Sequence, residues 1–541
     1  MTVRQESSVV SPQLFLRLGF LVFILWMNVS LSRSPSARSS ASWFADGGFT
    51  LNTVENSLHG KQLYVDSFYQ YGSLPIGLYT FISHFLGNTV ATFSYYLLAV
   101  HILFTILVLI VLAVARCDLV TTALTLLALC PFVIAPSGLQ YSYEQLFTLA
   151  VMVVWQAPAA RSPGRSMLLG LLLGAMQWVR FGSPAGLILG VAAVDLLSLY
   201  VQEGGLSRNS FKQLLKQGAF ILGGFLAVES ALLIQLYLTL PHDVAQDVAW
   251  PYYMSGSFNV YAPQDRHPRF LSLHYFLGQQ LTPVVGFLCA AFFAGAQLFS
   301  SRSRKGSLCE HQTAYRFLIP FVAYLANASF FYQQVWHYYK GAWLLVIAAV
   351  CVLRYKWVPL RVALAMLFVP CAFVALRPAS KSAPASTMVR TTTPNGELLW
   401  VPPIVLARTE NLVAVLARLD AGNSPTSVGK GFIILERQPI TVSAYLHFFY
   451  RVPQAIRHTM IFPGWLRPRD LRQIEENLIN VVAIVLLQKP EQGLPPKDIC
   501  QWNTYQFPKD FCAHVSAMLL DPIPVDGASW IFPVKSQSGD Q

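Results

Sequence analysis

Long apolar runs separated by short basic segments dominate the first 376 residues of the chain. Runs such as Tyr95–Ala115 and Phe220–Leu240 do not alternate apolar and polar positions, so they predict helices rather than strands of a barrel. Leu14–Leu31 is followed by no clear cleavage site and is interpreted as a retained first helix. We therefore predict a mainly α, polytopic membrane helical bundle with about 11 spans. The predicted spans are 13–32, 90–114, 118–135, 144–157, 167–180, 183–200, 217–239, 280–300, 313–331, 341–354 and 358–376.

Basic residues between these runs predict the orientation of the spans. Arg116, Arg161 and Arg165, with the basic groups of later connections, fall on one side of the predicted bundle, as does the N-terminus. The positive-inside rule assigns that side to the cytoplasm. The loops 33–89 and 240–279 then face the opposite side, together with everything that follows the last span.

The tail, residues 377–541, differs in sequence pattern from the apolar runs that precede it. A linker rich in Pro, Ser and Thr opens it, and a helical period at Thr409–Leu419 and a strand-like run at Gly431–Leu435 follow. A further helix is predicted at Pro468–Leu478 and a buried strand at Val481–Leu487. This alternation predicts an extracytoplasmic C-terminal α/β domain after a transmembrane domain, 1–376, which includes the loop 33–89.

Composition supports a membrane protein and excludes several functions. Of the 541 residues, 54% are hydrophobic and 12% are charged, against about 25% charged residues in soluble domains. The net charge of +12 comes mostly from the short loops, so we predict no nucleic-acid partner. No Walker loop, HExxH, GxSxG or CxxC pair is present, which disfavours a nucleotide-driven pump and a zinc hydrolase. In the tail, Cys500 and Cys512 fit either a disulfide or two free thiols.

Three acids in the loop 33–89 lie next to the predicted membrane. Asp46 is a candidate general base for an acceptor hydroxyl or amine. It also fits the N-cap of an amphipathic helix predicted at Phe49–Leu58. Glu55 fits a solvated surface acid, and Asp66 fits either a residue that shapes the loop or one that contacts substrate.

Further candidates lie near the ends of later spans. Glu144 fits a second active-site acid or a favourable charge at a helix N-terminus. Arg180 interrupts an apolar stretch and suits a phosphate group, or extends to the interface. His337 and Lys340 are three residues apart and can bind a phosphate together, although the aromatic residues around them also fit an interfacial belt.

The first loop carries a pattern of spaced residues that extends from the first acid to a Tyr-Gly-x-Leu sequence. Its residues are Asp46, Gly47, Leu58, Gly60, Leu63, Tyr64, Asp66, Phe68, Tyr71, Gly72 and Leu74. This pattern resembles the first loop of the GT-C class of membrane glycosyltransferases. More narrowly, it is similar to bacterial relatives of protein O-mannosyltransferases and of the lipid A aminoarabinose transferase. In the tail, Gly431–Leu466 looks like the extracytoplasmic α/β domain of these proteins.

The resemblance implies transfer of a sugar from a polyprenyl-phosphate-linked donor, with inversion, on the non-cytoplasmic face. Asp46 matches the family's first-loop acid, which would be the base, and Glu144 matches its second acid. Arg180, Lys340 and His337 would stabilise charge on the leaving phosphate, and Tyr64 and Asp66 would contact substrate. Where the family carries Arg-x-Asp-x-x-His before a late span, this chain keeps the His but has Tyr332 and Gln334.

We therefore expect a glycosyltransferase in the bacterial inner membrane that acts on a lipid, glycan or protein acceptor and is surrounded by membrane lipids. Some members of the class need a divalent metal; no convincing set of ligands is present here, so we predict no metal and no other cofactor. One alternative is a transporter or flippase of lipid-linked sugars, for which Asp195 and Glu229 are the main intramembrane charges. Another is a non-catalytic scaffold, which leaves the first-loop acids unexplained.

Overall fold

The structure is a computed structural model of the 541-residue chain. It describes residues 12–32, 46–69, 72–114, 118–124, 126, 139–156, 162–179, 183–203, 208–249, 362, 366, 388–421, 431–436, 442–457, 468–487, 508–526 and 529–535. The four spans predicted after residue 280 lie almost entirely outside the described residues.

Most of the described N-terminal part is helical. In chain order its helices are α1 (Pro12–Ser32), α2 (Asp46–Leu58), α3 (Ser73–Leu86), α4 (Val90–Val114), α5 (Leu139–Gln156), α6 (Pro163–Gln177), α7 (Ser183–Glu203), α8 (Arg208–Thr239) and α9 (His242–Ala249). The bounds of α4 are those of the predicted span 90–114, and α1, α5, α6 and α7 begin and end within five residues of their predicted spans. Helix α8 begins nine residues before the span predicted at 217–239.

Two of the described helices are long and apolar enough to cross a membrane, α4 over Val90–Ile110 and α8 over Phe211–Thr239. Helix α8 leaves large apolar side chains exposed, among them Leu222, Ile234 and Leu238. Water disfavours an apolar surface of this extent, whereas lipid tails do not. The structure is mainly helical, as predicted, and the count of about 11 spans remains a prediction.

The chain divides into two compact units. One comprises Met1–Ser30, Tyr95–Leu238 and Asp265–Pro378, and the other comprises Leu31–Ser94, Thr239–Gln264 and Ala379–Gln541. The division into domains 1–376 and 377–541 stays a prediction. The first loop, which that division groups with the spans, lies in the same compact unit as the tail.

The tail contains a four-stranded mixed sheet flanked by helices. Its elements are β1 (Val389–Thr392), β2 (Leu398–Val401), α10 (Pro403–Ala421), β3 (Gly431–Glu436), α11 (Ser443–Phe449), α12 (Pro468–Asn477), a 3₁₀ turn (Leu478–Asn480), β4 (Val481–Leu487), α13 (Lys509–Ala517), β5 (Ile523–Asp526) and β6 (Ser529–Pro533). The sheet order is β3-β4-β6-β5, with β3 parallel to β4 and the other pairs antiparallel. Strands β1 and β2 form a separate antiparallel hairpin.

The core of this sheet forms where apolar side chains of β3, β4 and β6 meet α12 and α13. Strand β4 is the VVAIVLL run, and six of its seven residues are buried, because strands and helices cover it on both sides. The core residues are Ile433, Leu435, Leu471, Ile474, Leu478, Val481, Ile484, Leu486, Phe511, Val515, Leu519 and Phe532. This core holds the segment after α11, which contacts the first loop.

Candidate functional site

The first loop is built around α2, which begins at Asp46 itself, three residues before the predicted helix. This helix is not the amphipathic surface helix that the sequence predicted. Phe49, Leu51 and Val54 are buried, and so are the polar residues Asn52 and Asn56. Helix α2 packs against α3 and α11, so the position of its first residue depends on the packing of the whole helix.

Buried polar groups of α2 bond to the segment that follows α11. The Nδ2 of Asn52 donates to Oε1 of Gln454 at 3.1 Å, and the Nδ2 of Asn56 donates to the same oxygen at 3.5 Å. Asn56 also lies 3.5 Å from the Oγ of Ser67, at the far end of the loop. Because buried amides are costly without partners, these bonds fix how α2 sits.

A tight turn over residues 62–67 contains Asp66. The side chain of Asp66 is exposed, and its Oδ2 accepts the backbone N–H of Gln62 at 2.9 Å. The backbone N–H groups of Val65 and Asp66 also donate to the carbonyl oxygen of Gln62. Of the two interpretations from the sequence, this geometry favours a residue that shapes the loop.

Tyr64 is buried in the same turn, with a backbone φ of 71° that is uncommon for a residue other than glycine. Burial raises the pKa of its phenol, and the hydroxyl bonds to Ser73. Only 3% of Tyr64 is exposed, and its contact with substrate stays a prediction.

A buried ion pair anchors this turn. Arg457 is 8% exposed and Asp470 is 2% exposed, and Nη2 of the arginine lies 2.6 Å from Oδ1 of the aspartate. The Nη1 of Arg457 donates to the carbonyl oxygen of Tyr64 at 2.6 Å. Its backbone carbonyl accepts the N–H of Phe68, whose ring lies under the guanidinium. The arginine therefore links the first loop to α12.

Glu55 has a partly exposed side chain, which agrees with the solvated acid suggested by the sequence, and it also has a structural partner. Its Oε2 accepts Nδ2 of Asn88 at 2.9 Å, and Asn88 donates as well to the carbonyl oxygen of Leu51. The hydroxyl of Tyr79 donates to Oδ1 of Asn88. Glu55 thus connects α2 to the short turn between α3 and α4.

His447 is a buried titratable group in the same unit. It lies on α11, is 7% exposed, and donates from Nδ1 to the carbonyl oxygen of Val452 at 2.7 Å. The pKa of His447 is lowered to about 4, chiefly by burial; the bond to the Val452 carbonyl opposes this shift, and the nearby charge of Lys61 adds to it. The imidazole is therefore neutral near pH 7.

Glu144 lies in the other unit, on α5, and is 3% exposed. Helix α5 begins at Leu139, so Glu144 lies beyond its first turn, where the charge of the helix terminus has little effect. The two residues before it are polar and bonded to α4. Ser142 Oγ lies 3.2 Å from Nε2 of His101, and the hydroxyls of Tyr143 and Tyr96 bond to each other.

Two tryptophans bond the intramembrane carboxylates named in the transporter alternative. The indole N–H of Trp155 donates to Asp195 at 3.5 Å, and that of Trp178 donates to Glu229 at 3.2 Å. Each bond joins two helical segments of the first unit. A structural role accounts for both contacts.

Three predicted site residues, Arg180, His337 and Lys340, lie outside the described residues, as does the side chain of Asp46. Within the described part of the chain, no group of three or more His, Cys, Asp or Glu side chains is placed to hold a metal ion. The expectation that no metal is needed stays a prediction.

Sequence reasoning missed Gln454, Arg457, His447 and His101. No motif marks Gln454, Arg457 or His447. They lie in the segment Gly431–Leu466, for which the resemblance to known tail domains concerns the whole segment and no single residue. The available signal was the pair Asn52 and Asn56, whose spacing of four residues places two amides on one face of α2. For His101, the signal was a titratable residue in the middle of an apolar span.

No protein-family model and no curated protein matches the chain. Among solved structures, the chain is similar to ArnT from Cupriavidus metallidurans in the apo state, with 14% identity and a TM-score of 0.45 over 98% of this chain and 99% of that one. The same protein bound to undecaprenyl phosphate gives 13% identity and a TM-score of 0.43 over the same shares of the two chains.

The Archaeoglobus fulgidus oligosaccharyltransferase in the apo form is similar at 12% identity and a TM-score of 0.45, over 88% of this chain and 70% of that one. These neighbours are GT-C glycosyltransferases, the class that the first loop resembles. At these identities and TM-scores, the similarity says nothing about donor, acceptor or mechanism in this chain.

Proposed function

We propose that the chain is an integral-membrane glycosyltransferase. It moves a sugar from a polyprenyl-phosphate-linked donor to an acceptor on the non-cytoplasmic face of the membrane. The observation that carries the proposal is that α2, a helix that begins at the acid Asp46, is held in place by hydrogen bonds of buried amide side chains. A catalytic carboxylate needs such a fixed support.

The reaction forms a bond between the acceptor and the anomeric carbon, breaks the bond between that carbon and the phosphate oxygen, and transfers one proton. The oxygen or nitrogen of the acceptor attacks the anomeric carbon, and the bond from that carbon to the phosphate oxygen breaks with inversion. Asp46 accepts the acceptor proton, and the lipid phosphate leaves with the electron pair. Glu144 is the second acid, while Arg180, Lys340 and His337 offset the negative charge that grows on the phosphate.

The non-cytoplasmic location of the tail is supported by Cys512, which is disulfide-bonded and is the one cysteine in the described part of the chain. Disulfides persist in oxidising compartments and are rare in the cytosol. The tail and the first loop belong to one unit, so the proposal assigns both to the same side of the membrane, where lipid-linked sugars are used.

The test is release of lipid phosphate by the purified full chain in detergent, supplied with a polyprenyl-phosphate sugar and extracts containing lipid, glycan or protein acceptors. Replacing the base, Asp46→Asn, is expected to lower turnover by about 100-fold or more. Glu476→Gln is the matched control, because Glu476 is an exposed acid of the same unit, on α12. Equal turnover by Asp46→Asn and wild type would refute the assignment of the base.

The same preparation separates the transferase from the alternative. Reconstituted into vesicles, a flippase moves the intact donor from one leaflet to the other and leaves the bond between sugar and phosphate unbroken. Movement of labelled donor without release of lipid phosphate would overturn the proposal in favour of a transporter.

A further inference from the structure

We infer that the segment 452–457, which follows α11, is a clamp that sets the position of the first loop, with Gln454 and Arg457 as its positioning residues. The consequence for catalysis rests on the proposed function. The clamp itself rests on contacts within one compact unit.

Gln454 is the part of the clamp that holds α2. Its Oε1 accepts from both Asn52 and Asn56, at 3.1 and 3.5 Å, and its Nε2 donates to the carbonyl oxygen of Ile456 at 2.5 Å. The two asparagines lie one turn apart on the same face of the helix. One side-chain amide therefore fixes both the rotation of α2 and its height along its axis.

Arg457 is the part that holds the turn 62–67. It donates to the carbonyl oxygen of Tyr64, and its backbone carbonyl accepts the N–H of Phe68 at 2.8 Å. Tyr64 has a left-handed backbone conformation, which costs free energy that its surroundings must offset. The bond from Arg457 to this carbonyl supplies part of that compensation.

The clamp is itself fixed to the sheet. The N–H of Phe432 on β3 donates to the carbonyl oxygen of Pro453, and the N–H of Ala455 donates back to the carbonyl oxygen of Phe432. The approach at Gly431 is so close that a Cβ there would lie 2.6 Å from the nitrogen of Ala455. The clamp segment thus lies beside β3 almost as an extra strand.

This arrangement gives the tail a role in the reaction without requiring it to touch substrate. Asp46 begins the helix that the clamp holds. The clamp acts through α2, because a rotation or shift of that helix moves its first residue by a similar amount. A displacement of about 1 Å at a catalytic group costs on the order of 100-fold in rate.

The experiment loosens the clamp from each side. Gln454→Met removes both polar functions at nearly equal volume, whereas Gln454→Glu keeps an oxygen that Asn52 and Asn56 can bond. From the loop side, Asn52→Ala removes the shorter bond and places a good helix former in α2. Arg408→Gln is the control, since it removes an ion pair to Asp526 in the same unit, outside the first loop.

Two measurements are made on the purified full chain: deuterium exchange of the amides of residues 46–69, and kcat and KM for the lipid-linked donor. We expect faster exchange there in Gln454→Met and Asn52→Ala, with kcat lowered about 10- to 100-fold and KM unchanged. Gln454→Glu should show smaller changes in exchange and in kcat, and Arg408→Gln should match wild type in both measurements.

Unchanged exchange in Gln454→Met and Asn52→Ala would overturn the clamp. Faster exchange with wild-type kcat would overturn its positioning role. A wild-type protein that releases no lipid phosphate would refute the proposed function instead, and the exchange measurement alone would then decide whether the clamp holds the loop.

Discussion

Gly170 on α6 and Gly224 on α8 meet backbone to backbone, since a Cβ on Gly224 would lie 3.1 Å from the Cα of Gly170 and 2.3 Å from the carbonyl oxygen of Met167. Gly170 begins the GLLLG sequence, in which Gly174 repeats the small residue four positions later. Small residues at this spacing let two membrane helices approach closely, where packing and not the hydrophobic effect holds them together.

The first prediction concerns this crossing. Gly170→Ala should destabilise the protein by about 1–3 kcal/mol, because its Cβ would lie 2.0 Å from the carbonyl oxygen of Ile221, and the backbone there cannot move aside cheaply. The measurement is the thermal unfolding midpoint in detergent. Gly218→Ala on α8 is the control: it has open space around it, and alanine favours a helix. Equal unfolding midpoints for the two variants would contradict the close contact between α6 and α8.

The second prediction concerns the buried pair of Arg457 and Asp470. Asp470→Asn should lower the free energy of unfolding by about 3–5 kcal/mol, because it leaves the guanidinium buried without a counter-charge. Adding Arg457→Met should recover much of that loss, since the uncompensated charge is then gone. Chemical denaturation followed by tryptophan fluorescence measures both variants.

A surface pair offers the comparison. Arg408 and Asp526 lie 3.6 Å apart and are partly exposed, so Asp526→Asn should cost no more than about 1 kcal/mol. A loss of similar size at Asp470 and at Asp526 would show that the interior pair has no special role.

How far the sequence predicts this fold depends on how much of each element is encoded locally. Strand β4 is a continuous run of aliphatic residues, mostly β-branched, and its predicted bounds, Val481–Leu487, are those observed. Helix α11 was missed because it is only seven residues long and mostly apolar, which is too short for a helical period to show. Strand β5 was missed because it is four residues long, contains Pro524 and lies at the edge of the sheet.

The candidate site likewise has a part that the sequence predicts and a part that it does not. An acid after the first span is visible in the sequence, and Asp46 was found there. The contact between Arg457 and Tyr64 joins residues 393 positions apart, and only the folded chain brings them together. The bond from Asn88 to Glu55 could not be predicted for the same reason, because Asn88 comes after another helix.

The third prediction concerns pH. His447 has a pKa of about 4 in the folded protein, below the ordinary 6.5, so the unfolded chain binds its proton first as pH falls. Its contribution to stability is therefore complete above pH 6.5 and is lost progressively between about pH 6.5 and pH 4, by an amount on the order of 3 kcal/mol.

Unfolding midpoints between pH 7.5 and pH 4 measure this effect. His447→Gln can still donate to the carbonyl oxygen of Val452 but does not titrate, so its midpoint should fall less steeply than that of wild type below pH 6.5. His514→Gln is the control, because His514 lies on α13 in the same unit and is exposed. Parallel curves for wild type and His447→Gln would refute the prediction.

The fourth prediction separates the two roles proposed for Asp66. If the carboxylate shapes the turn, Asp66→Asn should keep the donor KM and kcat within about threefold of wild type, because the amide oxygen still accepts the N–H of Gln62. Asp66→Ala removes that bond, and we expect it to lower kcat together with the stability of the turn. If the carboxylate instead binds substrate through its charge, Asp66→Asn and Asp66→Ala should raise KM to a similar extent. Steady-state kinetics of the two variants side by side decides between these roles, because only the first allows asparagine to replace aspartate.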